Sequence, residues 1–473
     1  MQCVLKTMDG GTTTIGQEAT EAFSGGLRGS LILPDTPGYD DARSIWNAMI
    51  DRRPGMIVEC AGAADVIRAV KFAGEHGLLV SVCGAGHNIA GNAVVDGGFM
   101  ISVRGMKSVR VDPSARRARV EPGVTLGEFD NEAQAFGLAT PTGINSTTGI
   151  AGLTLGGGFG WLSRKWGLTA DNLISADVVT AKGELLTVSA DEHPELFWGI
   201  RGGGGNFGIV TSFEFQLHAI GPEILSGLIV YPIADAGDVL RNYREFAAQA
   251  PDELTVWVVM RKAPPLPFLP EAAHGTPVII LAALYAGEMS DGEEALKSLR
   301  AFGNPIADVI SPHQFTGFQA AFDPLLTPGR RNYWKSHDFM EMSDGLVDTA
   351  LRFVETLPSP ECEVFFAQMG GATSRVPADA TAYRHRDAQF IMNVHGRWGE
   401  ASEDESGIAW CRDLFDATAQ YATGGVYVNF MTEEEGDRVR EAYGDSFDRL
   451  VQLKKSYDPG NLFRMNQNIL PEE

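Results

Sequence analysis

ELFWGIRGGGGNFGIVTSFEFQL, residues 195–217, holds four consecutive glycines, Gly202 to Gly205. Gly203, Gly205 and Gly208 match the spacing GxGxxG. A dinucleotide-binding fingerprint of that form must follow a strand and open a helix. Here IVTSFEFQL follows, and its apolar–polar alternation is that of a strand. The match is false in context, so a Rossmann reading fails. No GxxxxGKS or GxxxxGKT occurs either, which removes a P-loop nucleotide hydrolase.

Two further glycine-rich stretches lie upstream, CGAGHNIAG (83–91) and TTGIAGLTLGGGFG (147–160). Three such loops on one site would expose many backbone N–H groups. That suits a pyrophosphate held in amide nests without a lysine clamp. A large, flat, anionic cofactor such as FAD is the guest this predicts.

The chain has 473 residues, enough for two or three domains. Lys plus Arg number 38 against 61 Asp plus Glu, a net charge of −23. Such a surface repels phosphate backbones and anionic lipid, so neither nucleic acid nor membrane is an expected partner. Five dispersed cysteines without a CxxC exclude a disulfide framework and a zinc ribbon, and no metal is expected. The N-terminal stretch lacks an apolar signal region, and the longest apolar run, Val278 to Ala286, is too short to span a bilayer. A cytoplasmic location is expected, with the oligomeric state open.

Residues 1–40 read as an entry arm. Strands are predicted in PGMIVEC (54–60) and LLVSVCGAGH (78–87), with a helix in AADVIRAVKFAGEHG (63–77) between them. A helix is predicted in LGEFDNEAQAFGL (126–138), a long loop over 140–168, and a hairpin over 171–189 turning at Lys182–Gly183. Beyond Pro222 come the strand patterns LSGLIVYPI, DELTVWVVMRK, TPVIILAALYAG and CEVFFAQMGG, with helices at Gly237–Gln249 and Asp344–Leu357. The closing segment reads as a strand, GVYVNF (425–430), then a helix, SFDRLVQLKKSY (446–457). The fold class is α+β, with an antiparallel sheet covered by helices after residue 220.

GAGHNIAG, GLTLGGGFGWLSRKWGLTADN, FWGIRGGGGNFGIVT and YDPGNLFRMNQNI, in this order, resemble the FAD-linked oxidases of the vanillyl-alcohol oxidase/p-cresol methylhydroxylase superfamily. The likeness is to the berberine-bridge-enzyme-like branch of bacterial type, and it runs from about Arg53 to Pro471. It implies a two-domain flavoprotein. An FAD-binding domain of the PCMH type, in two α+β subdomains, would occupy 1–220, its core about 50–220. A substrate domain would occupy 221–420, and 421–473 would return to the FAD domain.

The resemblance also implies roles. His87 would bond the flavin 8α-methyl. An imidazole attached there withdraws electron density and raises the flavin potential. Some members add a cysteine at flavin C6, but that position aligns with Asn145, so one link alone is expected. Ser81, Val82, Cys83, Gly84, Ala85, Gly86 and Asn88 would wrap the pyrophosphate and ribityl chain. Thr147, Thr148, Gly149 and Gly152 would lie against the flavin and phosphates. Gly205, Ile209 and Val210 would meet the adenosine. Asn466 and Asn468 would approach the isoalloxazine or close the fold over it, and Tyr427 and Asn429 would lie on a strand brought to the flavin.

Tyr427 is the expected catalytic base, and Phe159 fills a slot where related enzymes often carry tyrosine. Tyr333, Lys335, Gln368 and His395 are further expected cleft residues, on strand-like segments. The expected activity is hydride transfer from a CH–OH or CH–NH carbon of a natural product or sugar to flavin N5, with O2 as acceptor. The alternatives are a flavin-dependent tailoring oxygenase or oxidative cyclase, and a flavin-bearing protein that sequesters a drug-like compound.

Overall fold

The computed structural model describes residues 2–472. Three sheets carry the architecture. The first has the order Ser30–Ile32, Met56–Glu59, Phe99–Ser102, Val80–Cys83. Its last three strands are mutually parallel, so a crossover must join them. Helix Ala63–Glu75 is that crossover, and it buries Val66, Ala69, Val70 and Ala73 against the sheet. Asp65 in its first turn accepts from the N–H groups of Arg28, Gly29 and Ala61, tying the N-terminal arm to the helix start.

The second sheet is antiparallel, in the order Leu185–Ser189, Leu173–Val179, Ile209–Gln216, Arg117–Val120, Val109–Asp112. The predicted hairpin and the strand after the four glycines are both present. Helix Leu126–Gln134 starts at Thr125, which forms a reciprocal capping box with Glu128. The stretch expected as a long loop holds two short helices, Ile150–Leu155 and Ser163–Trp166. Gly149, Gly156 and Gly167 cap them where chain direction changes, and Gly152 lies inside the first, which hid them in the sequence.

The large sheet is antiparallel and runs Ala307–Asp308, Glu223–Pro232, Pro277–Tyr285, Leu254–Lys262, Glu363–Gln368, Phe390–Trp398, Arg331–Phe339. Helices Ala236–Ala247, Asp344–Val354 and Asp404–Thr418 cover one face through Leu240, Tyr243, Val347, Ala350 and Leu414. The opposite face packs Trp257, Phe365 and Ile391 against Phe159, Trp161 and Leu162 of the second glycine stretch. Both faces are therefore buried.

The closing segment returns to the second sheet. Helix Phe447–Tyr457 buries Leu450 and Val451 with Phe197 and Phe207. Lys454, fully buried, donates to Asp458 and to the carbonyls of Asn206 and Phe463. The strand expected at 425–430 is absent. Val428–Phe430 is a 3-10 turn, which aims Asn429 at the second glycine stretch instead of a ladder partner. Among the described residues, no helix is long and apolar enough to cross a membrane.

Candidate active site

A cavity of about 330 Å³ opens where the three sheets converge. Strand Val80–Cys83 feeds Gly84 straight into it. Among the described residues, no backbone N–H from Gly84 to Asn88 donates to a backbone acceptor. Five consecutive residues that line the cavity thus have amides without a backbone acceptor, an arrangement that suits an anion. The second glycine stretch lies directly on this loop. A Cβ on Gly149 would sit 2.8 Å from that of Ala85. The four-glycine loop docks next to it, where Gly202 and Gly204 donate to the Leu155 carbonyl at 3.0 and 2.9 Å. On Gly152 and Gly205 a Cβ would meet no protein atom within 4 Å, because both face the cavity.

His87 sits at the rim of this cradle, stacked on Trp46 at 5.1 Å. Its Nε2 is 3.0 Å from Thr147 Oγ1, and Thr147 donates its one hydroxyl proton to Asn145 Oδ1 at 2.8 Å. Thr147 is then the acceptor, so Nε2 carries hydrogen and Nδ1 keeps its lone pair. Burial and the nearby Arg104 guanidinium push the imidazole pKa down to about 4. His87 is neutral at ordinary pH, with a nucleophilic nitrogen available.

Beyond Trp46, beside His87, the cavity is aromatic. Trp334 packs against Trp46 at 5.7 Å, Phe430 at 5.5 Å and His395 at 4.7 Å. Trp257 stacks on Phe365 at 5.5 Å, and Phe159 meets Tyr427 edge-on at 4.7 Å. Two polar groups interrupt this wall. His395 Nδ1 lies 3.3 Å from Glu363 Oε1, while Glu363 Oε2 accepts from Arg261 at 2.7 Å. His395 Nε2 is buried and has no protein partner. Burial holds His395 below the usual imidazole range, with Glu363 opposing. Burial would raise Glu363, but Arg261 and His395 bring it down to about 2. A carboxylate holding Nδ1–H leaves the Nε2 lone pair free, which is what a general base requires.

Tyr427 is less suited to that role. Its oxygen is 3.3 Å from the Gly158 N–H and 2.9 Å from Asn429 Nδ2. Burial outweighs both donors and pushes the phenol up to about 12.

Residues 54–189 match the FAD binding domain family, and residues 426–470 the berberine and berberine like family. (R)-6-hydroxynicotine oxidase of Paenarthrobacter nicotinovorans is 32% identical over 461 residues, covering 94% of this chain and 97% of that protein. The chain is an FAD-linked oxidoreductase of the berberine-bridge-enzyme-like family. The crystal structure of 6-hydroxy-D-nicotine oxidase from Arthrobacter nicotinovorans superposes with a TM-score of 0.85 at 30% identity, covering 94% of this chain and 98% of that one. A chitooligosaccharide oxidase follows at 0.82 and 25%, covering 96% and 100%. The two-domain α+β flavoprotein fold that the family resemblance implied is thereby shown.

FAD suits this oxidoreductase's cradle, since free amides, cavity-facing glycines and an aromatic end line one continuous space. Of the residues expected at the cofactor, Val82, Gly84, Ala85, Gly86, His87 and Asn88 line it, as do Thr148, Gly149 and Gly152. Gly205, Ile209, Val210, Tyr427, Asn429 and Asn466 line it too. Four do not. Ser81 is buried in the strand, and Cys83 packs into the core with Tyr39 and Met100. Thr147 reaches His87 instead, and Asn468 lines a neighbouring groove beside Arg440 and Leu470.

Among the expected cleft residues, only His395 and Tyr427 reach the cavity. Gln368 faces the helices, accepting from Val256 N–H at 2.9 Å. Tyr333 accepts from Arg412 at 2.9 Å and donates to Glu434. Lys335 pairs with Glu434 and Glu435 at 3.1 and 3.2 Å. These three belong to the opposite sheet face, so their expected place in the cleft is corrected. Trp334, between Tyr333 and Lys335, is the residue that enters it. Glu363 and Trp46 were missed. The carboxylate stands directly opposite His395 across two strands, a pairing visible once register is known. Nothing in the sequence around Trp46 signals its position.

Proposed function

We propose that this protein is an oxidase that carries FAD on His87 through a single bond. Its substrate is a planar natural product whose CH–NH or CH–OH carbon is oxidised, with O2 as the final acceptor. The observation that carries the reading is one cavity holding a neutral, tautomer-fixed His87 at the amide cradle and an oriented His395–Glu363 pair at the aromatic end. Bound FAD supplies the acceptor for a hydride leaving the substrate carbon. His87 offers Nδ1 for attachment, and Asn145 in the second-link position offers no thiol. His395 Nε2 takes the substrate N–H or O–H proton, and Glu363 steadies the imidazolium that results. The wall of Trp46, Trp257, Trp334, Phe365 and Phe430 holds a flat ring system and excludes water. That lining favours an aromatic amine or carbinol over a sugar, and the relatives named as nicotine oxidases support the same choice.

The test is anaerobic mixing with a panel of heteroaromatic amines, aromatic carbinols and oligosaccharides, followed by air. Bleaching of the flavin by an aromatic member, with peroxide on reoxidation, supports the oxidase. Tight binding without bleaching across the panel supports sequestration instead.

A further inference from the structure

Behind the aromatic wall a second polar feature crosses the interior. On the cavity face of the large sheet, Ser336 stands opposite Asn393, one pair along from Trp334 and His395. Asp338 follows Ser336 on the same face, and all three are at most 1% exposed. Ser336 Oγ, both polar atoms of the Asn393 amide, both Asp338 oxygens and Tyr383 Oη have no protein hydrogen-bond partner. A dry unpaired polar atom keeps its desolvation cost unrepaid, so these atoms together would threaten a marginally stable fold. Bound water is the ordinary remedy for such a cluster.

The feature also reaches the surface. A Cβ on Gly425 would sit 2.8 Å from Asp338 Oδ2 and 2.6 Å from His385 Nδ1. Carboxylate and imidazole therefore face one another across this glycine, near enough for one water to bridge. His385 is half-buried, and its Nε2 is 3.1 Å from the carbonyls of Glu441 and Ala442. Nε2 thus carries hydrogen, and Nδ1 keeps its lone pair on the Asp338 side. Burial raises the Asp338 carboxyl to about 6, in a setting that includes His385, Asp387, Arg438 and Tyr383.

We propose that Ser336, Asn393, Asp338 and His385 form a water-filled proton exit that drains the active-site base. It rests on the reading of His395 as that base. The proton taken by His395 Nε2 moves by water past Asn393 and Ser336 to Asp338, then by the water beside Gly425 to Nδ1 of the half-buried His385, which passes the same proton to solvent while Nε2 keeps its hydrogen. Each hop breaks one N–H or O–H bond and forms another, so one proton leaves per hydride removed, with no added redox partner. Gly425 keeps the last gap open, and any side chain there would plug it.

Two measurements decide it. A high-resolution crystal structure of the flavin-loaded protein is expected to show ordered waters bridging Ser336, Asn393 and Asp338. Direct pairing of these side chains with no water would overturn the exit. In stopped flow, with the panel compound that bleaches the flavin, an indicator dye follows proton release. In D338N and G425V, release is expected to lag bleaching, and turnover to fall roughly tenfold. Release in step with bleaching in both variants overturns the proposal. Unslowed bleaching in H395Q would instead refute the base assignment, which separates the two failures.

Discussion

At the scale of single residues, protonation decides the chemistry. His395 works as a base only when neutral, and burial keeps its pKa below the ordinary imidazole value of about 6.5. The sign follows: kcat/KM should rise with pH through an acidic value and stay level above it. A rate still climbing above about pH 9 would instead point to a phenol near its usual pKa. Replacing Glu363 removes the acceptor that fixes the His395 tautomer. E363Q is expected to lower kcat by roughly 100-fold or more, measured as flavin reduction at saturating substrate. Glycines give a second test at this scale. Gly205 borders open space, whereas a Cβ on Gly160 would lie 2.0 Å from the Thr142 carbonyl. G205A should fold normally yet load FAD poorly, while G160A should fail to fold. Equal FAD content in G205A and wild type would contradict the cradle.

At the scale of elements, helix Leu126–Gln134 meets helix Phe315–Gln319 through buried Asp130, whose carboxylate accepts from Gln319 at 3.0 Å. Burial pushes this carboxyl up to about 7. Its folded pKa exceeds the unfolded value of about 3.9, so its contribution is fully present below that value and is lost as pH rises towards 7. D130N removes the slope and gives Gln319 Oε1, which has no partner, a donor. The variant should gain roughly 1 kcal/mol over wild type at pH 8 and nothing at pH 4, read from urea unfolding. Strand legibility failed at this same scale for a physical reason. Strand Arg331–Phe339 is buried on both faces, so polarity no longer alternates with direction. Tyr333 and Lys335 looked like cleft residues because they are polar, yet they serve ion pairs under the closing segment. Where one face was exposed, as in helix Ala63–Glu75, the pattern gave the correct element.

Across the whole molecule, buried polar side chains pin the large sheet to the segments around the glycine loops. Arg164 is 5% exposed and donates to the carbonyls of Leu254, Met369 and Ala250. Asn47, just past the N-terminal arm, joins the same sheet at Asn332, at 2.9 and 3.0 Å. R164M strands several buried carbonyls and should cost roughly 3 kcal/mol or more. The melt is expected to drop by several degrees and to separate into two steps; one unshifted transition would show that the pin is idle. The glycine motifs were legible because backbone approach to a cofactor leaves a local signature. The cavity's aromatic end was not, because Trp46, Trp257, Trp334 and Phe430 converge from segments nearly 400 residues apart.

The proposed chemistry depends on FAD being anchored at His87. Intact-protein mass spectrometry under denaturing conditions tests that most directly. Wild type should carry the mass of one FAD, and H87A should appear as the bare polypeptide. A bare wild type, or an adduct that survives in H87A, would contradict the account.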